Sequence, residues 1–326
     1  MEKWAYNKII KYLNLLKLRK TTIDIKKEIK ITVFYSFLIG AFATIPIVLS
    51  EIYFIGNDFS LKNLDVLNII IYIFILIVSV ILEFYFLYII GFKIISKIIF
   101  VENKLLKIKI NEDTFFQTLA RSSIEYPEPN KNLYGINTSK YKSKNKFLIT
   151  FIYKIKIMLS NFILKLIIKK LLSRGAFRGL ASFVAIPVTG LWDAFIVSKI
   201  IKEVKFKIKT NIKILKLLEI ERKNIEEELK ILSFRILLYG EYNYNLEYLL
   251  NEMIYKNNGN FKFIEDEVEN YFNINFVKKE NINFVIEIFS FKQKKLNKRE
   301  IEFLEYNNIL RETIKKQKDL KNESKR

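Results

Sequence analysis

Uncharged apolar runs set the outline of this chain. Residues 31–50, from Ile31 to Ser50, carry no charged side chain. About 20 such residues cover the hydrocarbon thickness of a bilayer, so the run predicts a transmembrane helix. A second run starts at Val66, stays uncharged to Leu82 and resumes after Glu83 as far as Phe92. That stretch, 66–92, is long enough to span with tilt. Lys26, Lys27 and Lys30 precede the first run, and Lys93 and Lys97 close the second. The link between them sets Glu51, Asp58 and Asp65 against Lys62 alone. The positive-inside rule then puts the N-terminus and everything after residue 92 in the cytoplasm, with only the link outside. Residues 31–100 read as a transmembrane hairpin.

The flanking regions are more polar. Within 1–30, Ala5, Ile9, Ile10, Leu13 and Leu16 recur at helical spacing among Lys8, Lys11 and Lys17. This basic amphipathic segment either lies on lipid headgroups or packs on the chain's own C-terminal region. Residues 101–146 form a polar linker region, punctuated by Tyr126-Pro127-Glu128-Pro129-Asn130, and mark a boundary. From Phe147 to Leu172 the chain is apolar but carries Lys154, Lys156, Lys165, Lys169 and Lys170, which favours an interfacial helix with snorkelling lysines. Residues 201–326 read as a basic helical cytoplasmic region. Its helical spacing runs from Val204 through Leu215 and Leu229 to Ile236, and a turn falls at Asn257-Asn258-Gly259-Asn260.

Within 147–200, the stretch 179–198 is a third membrane segment with Asp193 as its only charge. Small residues recur there every four positions: Gly175 with Gly179; Ala181, Ala185 and Thr189; Gly190, Ala194 and Ser198. Such rows let helix backbones approach closely inside lipid. Pro187 removes an internal amide donor, as Pro46 does in the first span, and each is a candidate kink. Arg174 and Arg178 precede the segment, and Lys199, Lys202, Lys205, Lys207 and Lys209 follow it. With both ends basic, a re-entrant hairpin bending at Pro187–Gly190 is preferred over a third crossing. Phe42-Ala43-Thr44-Ile45-Pro46-Ile47 also echoes Phe183-Val184-Ala185-Ile186-Pro187-Val188.

Composition narrows the chemistry. The 326 residues contain no cysteine and no histidine, which removes disulfides, Cys/His metal sites, thiol nucleophiles and histidine-based triads. No phosphate-binding glycine loop or dinucleotide fingerprint is present. The acidic run Glu265, Asp266, Glu267 and Glu269 lacks calcium-loop spacing and reads as a solvated helix face, while Tyr239, Tyr242, Tyr244 and Tyr248 read as packing residues. Nothing points to a cofactor, a metal or catalysis. A net charge of +21 implies an anionic partner, and its placement beside apolar stretches favours lipid headgroups over nucleic acid. Asp193 and Glu83 are the candidate membrane functional residues, since an acid at membrane depth is costly. Each also has a structural reading: Asp193 as a cap or a partner of Arg178, Glu83 as a residue reaching the interface.

The stretch Ala181-Ser182-Phe183-Val184-Ala185-Ile186-Pro187-Val188-Thr189-Gly190-Leu191-Trp192-Asp193-Ala194 resembles a segment shared by a family of bacterial integral membrane proteins with no assigned activity. Those proteins also combine an N-terminal span pair with a proline-containing linker like Glu125-Tyr126-Pro127-Glu128-Pro129. A looser similarity is to EcsC-type proteins. The resemblance implies a multi-pass protein of the inner membrane and carries over no catalytic residue. The expectation is a mainly α membrane protein, non-enzymatic, that self-associates or binds a membrane partner on the cytoplasmic leaflet. The alternative is a small transporter or channel component using Asp193 and Glu83.

Overall fold

The computed structural model describes residues 2–19, 23–55, 66–106, 119–120, 122, 132–134, 136–137, 178–221, 224–239, 243–259, 261, 277–293 and 295–324. The protein is mainly helical. In chain order the helices are α1 (Glu2–Arg19), α2 (Ile25–Ser50, passing directly into a π-turn at Glu51–Ile55), α3 (Val66–Leu106), α4 (Arg178–Leu218), α5 (Ile225–Tyr239), α6 (Tyr244–Lys256), α7 (Ile282–Ser290), α8 (Lys298–Tyr306) and α9 (Leu310–Glu323). A short antiparallel hairpin, β1 (Asn132–Leu133) and β2 (Ile136–Asn137), precedes α4. Three helices, Ile25–Phe54, Val66–Glu102 and Phe183–Leu218, are long and apolar enough to cross a membrane.

The chain divides into two compact units. One holds α1, α2, α3 and α4 as far as Ile201; the other holds the β-hairpin and the chain from Lys202 onward. The division falls between Ile201 and Lys202, inside a continuous helix, and residues 101–146 contribute to both units.

In the first unit, Asp24 caps α2 by accepting from the amides of Lys26 and Lys27 at 3.0 and 3.2 Å. α2 and α3 pack as the expected hairpin. They are pinned at one end by the Lys97–Glu28 ion pair at 2.6 Å. Of the row its spacing predicted, α1 buries Ala5, Ile9 and Leu13 and leaves Ile10 and Leu16 half-buried. It packs on α3: the Trp4 ring meets Phe92 edge-on at 5.1 Å, and the Ser96 hydroxyl donates to the Ile9 carbonyl at 2.9 Å. The buried row of α1 thus packs on α3.

The second unit has the polarity of a water-soluble helical domain. α5 buries Leu229, Leu232, Ile236 and Leu237, and α6 buries Leu246, Leu249, Leu250 and Met253. Asn243 caps α6, and Asn297 with Glu300 forms a reciprocal capping box on α8. Beyond α6, Asn258 and Gly259 take positive φ values of 58° and 74°, and the Gly259 amide donates to the Ile254 carbonyl. The predicted turn at 257–260 is that helix stop. At the centre, Arg235 is fully buried and pairs with Glu300, which also accepts from Lys292 at 2.6 Å. The guanidinium lies over the Phe289 ring at 4.5 Å and the Tyr239 ring at 4.9 Å. Of the predicted packing tyrosines, Tyr239 serves in this stack, and Tyr244 is buried with its ring stacked on Tyr248.

Candidate functional site: the interior of the membrane bundle

α4 is one helix from Arg178 to Leu218. The re-entrant hairpin preferred from sequence is overturned, because Pro187 and Gly190 sit inside an uninterrupted helix. A single missing amide leaves one carbonyl unserved, which a long helix tolerates when the surrounding bonds hold. Pro46 likewise lies inside α2. The echoed hexapeptides have matching burial: Phe42 and Pro46 are exposed around buried Thr44, as Phe183 and Pro187 are around buried Ala185.

At mid-helix the three long helices bury small and polar residues and expose large apolar ones, whereas beyond Leu87 on α3 and beyond Asp193 on α4 the buried positions are largely isoleucine, valine and phenylalanine. α2 buries Thr32, Ser36, Gly40 and Thr44, a row at four-residue spacing. α3 buries Ser79, Glu83, Leu87 and Gly91, and α4 buries Ala185, Thr189, Asp193 and Val197, at the same spacing. Outward go Phe34, Phe42, Ile70, Phe74, Leu191 and Phe195. Water would select the reverse distribution, while a bilayer rewards this one.

Two glycines bring α2 and α4 together. A Cβ on Gly190 would lie 2.5 Å from the Phe37 carbonyl oxygen. A Cβ on Gly40 would lie 3.0 Å from the Thr189 carbonyl oxygen and collide with the Asp193 carboxylate. Both residues must lack a side chain for these backbones to meet. Gly91 is different, since a Cβ there would meet nothing within 4 Å.

This contact fixes the depth of Asp193, which is only 1% exposed. Gly40 lies near the middle of the charge-free run Ile31–Ser50, so Asp193 sits level with the middle of that run. Glu83 is also 1% exposed. From the Glu28–Lys97 pair, Gly40 lies twelve residues along α2 and Glu83 fourteen residues back along α3. At 1.5 Å per residue these are about 18 and about 21 Å, so the two carboxylates share one level of the bundle. The neighbouring hydroxyls donate to their own helices: Thr44 to the Gly40 carbonyl at 2.7 Å, Thr189 to Ala185 at 2.9 Å and Ser36 to Thr32 at 2.8 Å. Their oxygens keep acceptor capacity, so hydroxyls and carboxylates alike favour a proton or cation over an anion. Among the described residues, no three potential ligand side chains gather as a metal site requires.

Of the residues expected to pack helices, Ala185, Thr189 and Gly190 are buried, and Ala194 is half-buried. Gly179 and Ala181 lie in α4, but their side chains fall outside the described set, as does the whole of Gly175. The Arg178 side chain and residues 147–172 and 265–269 also lie outside the described residues. The contacts made by Thr189, Gly190 and Asp193 are with α2 of the same chain, so that part of the row is not free to dimerise. Sequence reasoning missed their counterpart on α2, although Thr32, Ser36, Gly40 and Thr44 stand four apart in plain view. No family model, curated protein or solved structure matches the chain.

Proposed function

We propose that the chain is a non-enzymatic multi-pass protein of a bacterial cytoplasmic membrane. It holds a basic helical unit on the inner leaflet for binding a partner there. The opposite polarity of the two units supports this reading most strongly. The first is built to face lipid, and the second is built to face water with an excess of lysine on it.

The positive-inside rule keeps the N-terminus cytoplasmic. A through-going α4 has one cytoplasmic end, and Lys199, Lys202, Lys205, Lys207, Lys209, Lys213 and Lys216 after residue 198, against Lys165, Lys169, Lys170, Arg174 and Arg178 before residue 179, make its C-terminal side the more basic. The second unit also takes in residues 109–122 and 126–146, which follow the cytoplasmic end of α3, so it is assigned to the cytoplasm. That assignment requires the chain to cross once more between Lys146 and Arg178. A single cysteine at exposed Glu221, just past α4, tests this with a membrane-impermeant thiol reagent. Protection in intact cells and labelling after permeabilisation are expected; labelling in intact cells overturns the assignment.

A second reading is favoured by the depth of Glu83 and Asp193: the bundle carries protons or a small cation past these carboxylates. Proteoliposomes separate the two readings. The anchoring reading expects no dissipation of an imposed proton or potassium gradient. A flux that Asp193→Asn abolishes, in a protein that still folds, replaces it with the transport reading.

A further inference from the structure

We infer that the face of α1 turned away from α3 is a binding surface for anionic phospholipid, resting on the membrane-anchored reading above. The first support is position. α1 packs at Phe92 and Ser96, which lie nine and thirteen residues beyond Glu83 along α3. That is about 14 and about 20 Å from the central level, around the ~15 Å half-thickness of the hydrocarbon. α1 therefore sits where headgroups begin.

The second support is the aromatic set at the same level. Trp4 packs on Tyr88 and Phe92, and Lys93 lies over the Tyr12 ring at 5.7 Å. Rings with an apolar body and a polar edge concentrate at this boundary.

The third support is the outward face itself. Asn7, Ile10, Lys11, Asn14, Leu15 and Leu18 recur at helical spacing and line an open hollow of about 450 Å³. Leu18 is 80% exposed and Leu15 is 41% exposed. Lys3, Lys11 and Lys17 are exposed around them, and Glu2 is the only acid in a helix with five basic residues. An acyl chain against Ile10, Leu15 and Leu18 with its phosphate near Lys11 satisfies both halves of this surface. A zwitterionic lipid offers the same phosphate, but its own ammonium group offsets it, so the excess of basic residues on α1 favours a lipid of net negative charge.

Tryptophan supplies the test, since the chain has two, Trp4 and Trp192. The full chain carrying Trp192→Phe keeps Trp4 as sole reporter in α1. It would be placed in phosphatidylcholine vesicles containing equal mole fractions of brominated phosphatidylcholine or brominated phosphatidylglycerol. Quenching at least about twofold steeper for the glycerol lipid is expected. Lys11→Glu with Lys17→Glu should remove the difference, whereas Lys298→Glu with Lys315→Glu, both on the second unit, should preserve it. Equal quenching by the two lipids overturns the anionic-lipid inference and leaves the membrane anchoring intact. Quenching by neither lipid removes α1 from the bilayer and contradicts the underlying reading as well.

Discussion

The two units solve the packing problem with opposite surfaces. In the second unit the core is leucine, isoleucine and phenylalanine, and the charges inside it are compensated by design: Arg235 and Lys292 on Glu300, with aromatic faces beneath. In the first unit the rows that face one another at mid-helix bury Thr32, Ser36, Gly40, Thr44, Ser79, Glu83, Thr189 and Asp193. Phe34, Phe42, Phe74 and Leu191 stay exposed there, while Phe92, Ile94, Ile95, Ile98 and Ile99 are buried further along α3. Burial of apolar area drives the former. It cannot drive the latter in lipid, where close backbone approach and polar contacts hold helices together. A substitution that one unit accepts should therefore be the one the other rejects.

The largest effect is expected at the ionic centre of the second unit. Glu300→Ala leaves two buried cations without their carboxylate, and removing one partner of such a group costs about 3–5 kcal/mol. Thermal unfolding followed on the full chain should show the second unit's transition lost or sharply lowered, with the membrane helices still formed. Removal of Glu302, which meets Lys298 at 3.7 Å on the surface, should leave that transition in place.

Next comes the helix crossing. Gly40→Ala forces a methyl group into the Asp193 carboxylate and the Thr189 carbonyl, an overpacking cost of about 1–3 kcal/mol. Gly91→Ala meets open space and should stabilise α3 by up to about 1 kcal/mol through helix propensity. Stability in detergent should separate these variants in opposite directions. Equal destabilisation by both would remove close α2–α4 approach as the basis of the bundle.

The smallest effect is a slope in pH. Burial holds the Tyr244 hydroxyl above its ordinary 10.0, with Tyr248 and nearby Glu247 and Glu252 adding to the shift. A raised folded-state value means that the stability from keeping this phenol neutral is complete below pH 10 and declines as pH climbs above it. The second unit's melting temperature should fall on the alkaline side, and Tyr244→Phe should flatten that fall.

Much of this was legible in the sequence, for definable reasons. Charge-free runs of membrane length placed α2 and α3, and the lone acid in 179–198 marked Asp193. The course of α4 was not legible. Pro187 and Gly190 look like a break when read locally, and only packing against Phe37 and Gly40 shows that Gly190 is there for close approach rather than for bending. The α2 row of Thr32, Ser36, Gly40 and Thr44 was readable at the same four-residue spacing as Ala181, Ala185 and Thr189. The ion group of Arg235, Lys292 and Glu300 was beyond reach, because its members lie 65 and 8 residues apart and look like any surface charges in a lysine-rich chain.

The polarity of the first unit predicts that α2 and α3 cross a bilayer, and thiol labelling measures this directly in a chain with no native cysteine. Single cysteines at Lys17, on the exposed side of α1, and Asn57, in the link after α2, would be probed in intact cells with an impermeant reagent. Labelling at Asn57→Cys, with Lys17→Cys protected until permeabilisation, is the predicted result. Identical behaviour at the two positions would place both ends of α2 on one side of the membrane and contradict the account.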